Sequence, residues 1–361
     1  MTDAPIRAAT LRERLPTPLD LSGHLVMPGL INAHDHLEFN LFPQLGRGPY
    51  PNAGAWARDI YHPERSPVRE QLRVPLQVRL WWGALKNLLS GVTTVCHHNP
   101  YDAAVFNADY PVRVVRRFAW AHSLAFEPDL AGRFRKAPRT YPFLVHCGEG
   151  LDAAARREVR TLDSLGALDH RTVLIHGVAL TPADMDLMGR GASLVWCPTS
   201  NLKMLGRTIS RQVLRSRIPI ALATDSALSA PVDLLDELRV ARRYLPPARI
   251  YEMVTTAPAT ILRLSRAATR GDWIAVRSAA VTPHDAILDG SVALVVVAGR
   301  IRLIAPDLAR QLPRDVRRRL QPLAVEGRDP VLVDARVGAL RRAVEKHLGR
   351  DFRLAGKRVL A

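Results

Sequence analysis

Along most of the chain, short runs of apolar and β-branched residues alternate with longer segments whose apolar positions recur every three or four residues. The first pattern predicts buried strands and the second amphipathic helices. Seven runs read as strands: LVMPGLINAH (25–34), GVTTVCHH (91–98), VRVVRRFAWAH (112–122), YPFLVHC (141–147), RTVLIHG (171–177), ASLVWCP (192–198) and IPIALATD (218–225). Between them, segments 66–90, 151–168, 181–190 and 231–245 carry the helical spacing. Thr181 followed by Pro182 is a helix start, with the hydroxyl as N-cap and the proline in the first turn. The helix within SAPVDLLDEL is expected to start from Ser229 or a near neighbour.

Strands and helices alternating over a span near the ~250 residues of a (β/α)8 barrel predict an α/β protein with a TIM-like barrel. The count is seven strands rather than eight. The stretch 99–141 is too short for two full strand–helix units, so one unit is lost or is degenerate within SLAFEPDLAGRFRKAPRT. After about residue 266 the pattern becomes β-rich, through RGDWIAVRS, SVALVVVAGRIRLIAP and DPVLVDARV, with a terminal helix expected around 337–349. The predicted organisation is a barrel at 24–265 and a small β-rich domain built from 1–23 and 266–361.

Polar residues of one kind gather at the strand ends. His34 and His36 follow the first strand, His97 and His98 the second, and His122 the third. His146 closes the fourth, with Glu149 three residues on, and His176 and Asp225 close later ones. One such histidine means little, but barrel active sites are assembled at the C-terminal ends of the strands. Residues i and i+2 of a strand point the same way, so His34 and His36 can share one metal while Asp35 points elsewhere. Imidazoles with a carboxylate suit Zn²⁺, or alternatively Fe²⁺, and leave a position for water. Such a metal lowers the pKa of its water to about 7. Asp225 ends an apolar strand, where an unpaired carboxylate would cost several kcal/mol, and a metal or a histidine partner removes that cost.

Composition narrows the function classes. Of 361 residues 47% are hydrophobic and 24% charged, which describes an ordinary globular protein. The longest apolar runs fall far below the roughly 20 residues of a spanning helix, and MTDAPIRAATLRERLP lacks the pattern of a signal peptide. A cytoplasmic protein without membrane contact is expected. Cys96, Cys147 and Cys197 are odd in number and widely spaced, against a disulfide framework. The net charge of +17 comes almost wholly from arginines spread along the chain without interleaved aromatics. No nucleic-acid partner is expected from that distribution.

Together MPGLINAHDHLEFN, GVTTV, VHCGEG, VLIHG, WCPTSNLKM, ALATDSAL and TTAPATILRL resemble the amidohydrolase superfamily, in the branch of guanine and cytosine deaminases, triazine hydrolases and imidazolonepropionase. The resemblance covers roughly residues 20–300. It implies one divalent metal, zinc before iron, on His34, His36, His146 and Asp225, with Asp225 also accepting the water proton. Glu149 would pass a proton to the substrate nitrogen and His176 would polarise the attacked carbon's substituent. Binuclear relatives use a carboxylated lysine at a strand end; Lys136 is expected in a polar loop instead. Most of the family's usual N-terminal sheet segment is absent. Departures from the family at His97, His98 and Trp196, and Asn201 beside them, are expected to shape the substrate pocket. The implied activity is hydrolysis of a C–N bond in a small molecule by a metal-bound hydroxide, with deamination of a heterocyclic amine or amidine placed first. Opening of a cyclic amide and a non-catalytic ligand-binding relative stay open, as does a homodimer.

Overall fold

The computed structural model describes residues 18–265, 267 and 269–360, so the part of the small domain expected at 1–17 lies outside the described residues. Gly29 divides the first expected strand: β1 (His24–Pro28) runs into an antiparallel sheet and β2 (Leu30–Asp35) opens the parallel series. β3 (Val92–His97), β4 (Arg113–Val114), β5 (Ala119–Ser123), β6 (Phe143–Cys147), β7 (Thr172–His176), β8 (Ser193–Trp196) and β9 (Ile220–Leu222) follow. Their ladders form two arcs, β2-β3-β4 and β5-β6-β7-β8-β9. The fold is thus a TIM-like barrel of eight parallel strands rather than seven, because the run 112–122 is two strands. The exposed pair Arg116 and Arg117 interrupts it, since a buried strand has no solvent for adjacent guanidinium groups. No helix lies between β3 and β5, which accounts for the shortness of this region.

β9 and β2 share no ladder. Separate bonds close that seam: Asp225 N donates to His34 O (3.2 Å) and Thr224 N to Asn32 Oδ1 (3.2 Å). At the opposite end of the strands, Val254 O accepts from Ile31 N and Met253 O from Leu222 N, both at 2.8 Å. Ile31, Ala33, Cys96, Leu144, Val173, Ile175, Val195 and Ala221 pack together as one buried cluster. Strands covered on both faces read as continuous apolar runs, as these do. The three cysteines are buried free thiols.

The helices refine the sequence pattern. α1 (Ala53–Ile60) lies in a stretch with no helical prediction, and segment 66–90 is two helices, α2 (Val68–Arg73) and α3 (Leu76–Leu89), divided at Pro75. α4 (Leu130–Lys136) ends on Lys136, which is therefore in a helix rather than a polar loop. α5 (Glu158–Ser164) is shorter than expected, and α6 (Pro182–Met188) starts at Thr181 with a full capping box. α7 (Pro198–Leu205) follows β8. The helix Leu234–Ala241 is capped by Asp233, not Ser229; the Ser229 hydroxyl is turned to Asp225 instead. β10 (Trp273–Arg277), β11 (Ser291–Val297), β12 (Arg300–Ile304), β13 (Gln321–Leu323) and β14 (Val331–Val333) complete a sheet of order β1-β10-β11-β12-β14-β13. The terminal helix spans Val337–Leu348. Among the described residues no helix is long and apolar enough to cross a membrane.

Candidate active site

His34, His36, His146 and Asp225 come together at the C-terminal mouth of the barrel. His34 Nε2 lies 3.3 Å from His146 Nε2 and 3.6 Å from Asp225 Oδ1, and His36 Nε2 lies 3.8 Å from the same oxygen. The i, i+2 spacing holds, with the His34 and His36 rings 4.9 Å apart and edge to face. One nitrogen from each of His34, His36, His98 and His146 falls within 4.8 Å of the others, so these buried histidines could hold a metal ion.

The hydrogen bonds behind these rings decide which nitrogens are bare. His146 Nδ1 donates to His122 O at 2.7 Å, leaving Nε2 without a proton. His98 Nε2 donates to Ala121 O at 3.2 Å, and its bare Nδ1 sits 3.3 Å from His34 Nδ1. His34 therefore donates through Nδ1 and also presents a bare Nε2. Two imidazole lone pairs thus face each other at 3.3 Å beside a carboxylate, an arrangement that a cation between them resolves. Burial, followed by crowding from other histidines, pushes His36 and His146 well below the usual imidazole range, the neutral form a metal requires. Burial alone would raise the Asp225 carboxyl, but its surroundings of His34, His176 and His36 outweigh that and hold it well below the usual carboxylate range. Asp225 Oδ2 accepts from Ser200 (2.6 Å) and Ser229 (2.7 Å), which leaves Oδ1 for the centre. The residues present fit a divalent ion.

Glu149 and His176 stand beside this group, with Glu149 Oε1 3.2 Å from His176 Nε2. Burial, then the carboxylates of Asp225 and Glu158, push Glu149 well above the ordinary range, so it keeps its proton at pH values where a free carboxyl has lost it. His176 is lowered to about 4, chiefly by burial. Its Nδ1 donates to Asn201 Oδ1 at 2.9 Å, so Nε2 is the acceptor for the Glu149 proton. Both His176 (φ 77°) and Asp225 (φ 57°) adopt left-handed backbone. Each such residue costs on the order of 1–3 kcal/mol and is held by its surroundings, as strained positions at functional sites commonly are.

A cavity of about 410 Å³ opens above these groups. His36, His146, Glu149, His176 and Asp225 form its polar floor, and Phe39, Trp56, Tyr61, Phe126 and Leu228 line its walls with Arg58 and Ser226. Hollows of about 630 and 680 Å³ elsewhere, beside Trp81 and beside Tyr101, are lined by arginines, with two aspartates in the first, and by no histidine. None of the four residues expected to contact substrate lines the cavity. Trp196 is fully buried on the outer face of β8, packed on Tyr244 with its indole N–H donating to Thr208 Oγ1 at 2.6 Å, because the inward face is taken by Val195. Asn201 acts on His176. His97 accepts from Leu37 N (3.3 Å) and packs on Phe106. His98 stands behind His34, as described above.

Sequence reasoning missed several contributors. α1 presents Trp56 and Arg58 to the cavity, with Tyr61 just beyond its end; Ala53 N, bonded to Glu149 O at 3.0 Å, ties it to the turn bearing Glu149. Its short Gly- and Pro-flanked sequence gave no periodic signal. His122, at the end of the third expected strand but given no role, lines the cavity too. Asp35 is paired with Lys86, a lone cation on an apolar helix face and so a signal that was available.

Comparison with known proteins agrees with this geometry. Residues 144–269 match the Amidohydrolase family profile. A 5-methylthioadenosine/S-adenosylhomocysteine deaminase of Archaeoglobus fulgidus is 27% identical over 67% of this chain and 71% of its own length. That of Pyrococcus furiosus is 25% identical over 71% and 75%. Among solved structures, a zinc-bound adenosine deaminase of Xanthomonas campestris superposes with a TM-score of 0.65 at 18% identity, covering 90% of this chain and 85% of that one. An atrazine chlorohydrolase of Arthrobacter aurescens with zinc and atraton gives 0.62 at 16%, over 78% and 84%. With the strand-end residues in their places, the chain matches the Amidohydrolase family over residues 144–269 and is similar along most of its length to deaminases and zinc-bound hydrolases of the same fold.

Proposed function

We propose that this protein hydrolyses a C–N bond of a small heterocyclic amine or amidine, releasing ammonia, at a centre built for one divalent metal. Zinc is the first candidate. The observation that carries the reading is the bare Nε2 pair of His34 and His146 beside Asp225 Oδ1, within reach of the Glu149–His176 pair. His34, His36, His146 and Asp225 would hold the ion. A bound divalent metal supplies Lewis acidity and activates water at neutral pH. Asp225, with Oδ2 anchored by two serines, accepts a proton at Oδ1. Glu149 carries a proton at Oε1 for the substrate nitrogen, and His176, fixed by Asn201, exchanges it at Nε2. The aromatic walls from Phe39, Trp56, Tyr61 and Phe126 suit a planar ring. Relatives named as deaminases of 5-methylthioadenosine and S-adenosylhomocysteine favour an aminated purine over other rings. The same reading places a cytoplasmic enzyme with its hydrolytic barrel at 24–265. The described residues among 18–23 and 266–360 then form an accessory unit to which the barrel segment contributes β1.

The test combines elemental analysis with an ammonia-release assay over aminated purines, pterins and pyrimidines, run beside cyclic amides. One metal per chain and ammonia from a purine are expected. Two metals per chain would contradict the centre described, and ring opening without ammonia would replace deamination.

A further inference from the structure

Behind the strand ends, on the side away from the cavity, lies a buried polar cluster that the proposed reaction does not use. Lys86 projects from α3 into the core and is 2% exposed. Its ammonium has three N–H donors and three acceptors: Asp35 Oδ2 at 2.8 Å, Asn40 Oδ1 at 3.0 Å and Thr224 Oγ1 at 3.0 Å. Asp35 sits between His34 and His36 in sequence, and Thr224 directly precedes Asp225. Asp35 Oδ2 also accepts from Asn87 Nδ2 at 2.7 Å, and Oδ1 from Asn40 Nδ2 at 2.9 Å. Thr224 Oγ1 accepts from Asn32 Nδ2 (2.9 Å) and donates to Asp225 O (3.0 Å).

Two further facts give this cluster a task. The barrel has no ladder between β9 and β2, so the spacing of the two strand ends rests on individual bonds. Gly83 lets α3 come against the turn after His36: a Cβ there would lie 2.2 Å from Leu37 O. A buried ion pair adds little net stability over apolar residues of equal volume. A fully satisfied polar network, however, fixes one arrangement of the groups it joins.

We propose that Lys86 is a positioning residue that clamps the end of β2, bearing His34 and His36, to the end of β9, bearing Asp225. It thereby sets the spacing of the metal ligands. The inference rests on the metal centre proposed above, and its test separates the two.

The readout is zinc affinity by chelator competition, on protein whose fold is checked by circular dichroism. Thr224→Val keeps the volume and the ion pair but removes the oxygen that ties Lys86 to the Asp225 strand. It is expected to weaken zinc binding by about 10–100-fold, the range for partners that orient metal ligands. Lys86→Met combined with Asp35→Asn removes both charges together, so neither is left buried alone. That double variant is expected to lose affinity to a similar degree while the melting temperature of the zinc-free protein is unchanged or higher. A purely structural role would shift that melting temperature and leave zinc affinity untouched. Wild-type affinity in either folded variant therefore overturns the clamp, and failure of both to fold makes Lys86 a folding element and overturns it too. Absence of zinc uptake by the wild type removes the metal centre itself, and the clamp with it.

Discussion

Replacing Glu149 by glutamine separates proton transfer from the residue's other contacts. Glu149 lies 3.2 Å from His176 and is not one of the four groups proposed to hold the metal, so Glu149→Gln leaves those donors in place. The amide fills the same space but cannot act as an acid or base near neutral pH. Loss of a general acid or base lowers kcat by about 10²–10⁴-fold, roughly 3–5 kcal/mol of barrier. Stability should move the other way. The folded carboxyl titrates well above its ordinary range. As pH rises past the unfolded value of about 4.3, the unfolded chain releases this proton while the folded chain keeps it. Wild-type stability from this group is therefore fully present below that pH and is lost progressively up to the raised folded value. Glutamine has no such loss, so the advantage of Glu149→Gln over wild type grows with pH. Ammonia release at saturating substrate, metal content, and melting of metal-free protein across pH together check the reasoning. Near-normal kcat with metal retained would refute the proton-transfer role, and parallel melting curves would refute the buried, proton-holding carboxyl.

Three other outcomes follow from the geometry. Burial pushes Glu158 up to about 7 while its Oε2 accepts from Gly148 N at 2.6 Å. On the order of 3 kcal/mol is therefore lost as pH rises from about 4.3 to about 7, and Glu158→Gln should flatten that part of the denaturation profile; an unchanged slope contradicts it. Gly83→Ala forces α3 away from Leu37 O and should cost about 1–3 kcal/mol in urea unfolding. Full stability would mean the helix approach is looser than described. Asn201→Leu frees the His176 ring and is expected to lower kcat with KM unchanged, whereas a KM effect alone would return Asn201 to the substrate side.

The parts legible in the sequence are those with a local physical signature. His34, His36, His146, Glu149, His176 and Asp225 stand out because each interrupts or ends an apolar run, and barrel topology gathers strand ends on one face. Residues whose task depends on a neighbouring strand were not legible. His98 and His97 are adjacent and chemically equal, and only the pleat and the packing of His34 decide that His98 faces the centre. Trp196 and Asn201 lie in a conspicuous motif, yet the turn into α7 directs one into the core and the other onto His176. The strand count failed at Val112–His122, where two short strands with a charged interruption read as one.

A single residue, Gly29, separates β1 from β2. The strand that ends in His34 is thus moored at its other end to an antiparallel sheet whose remaining strands come from the last quarter of the chain. A chain cut at residue 265 would strip β1 of β10 and leave the histidine-bearing strand starting from a loose end. Damage to β10 or β11 should therefore be felt as lost metal affinity at the far end of the barrel, and the barrel cannot be shuffled or shortened independently of that sheet.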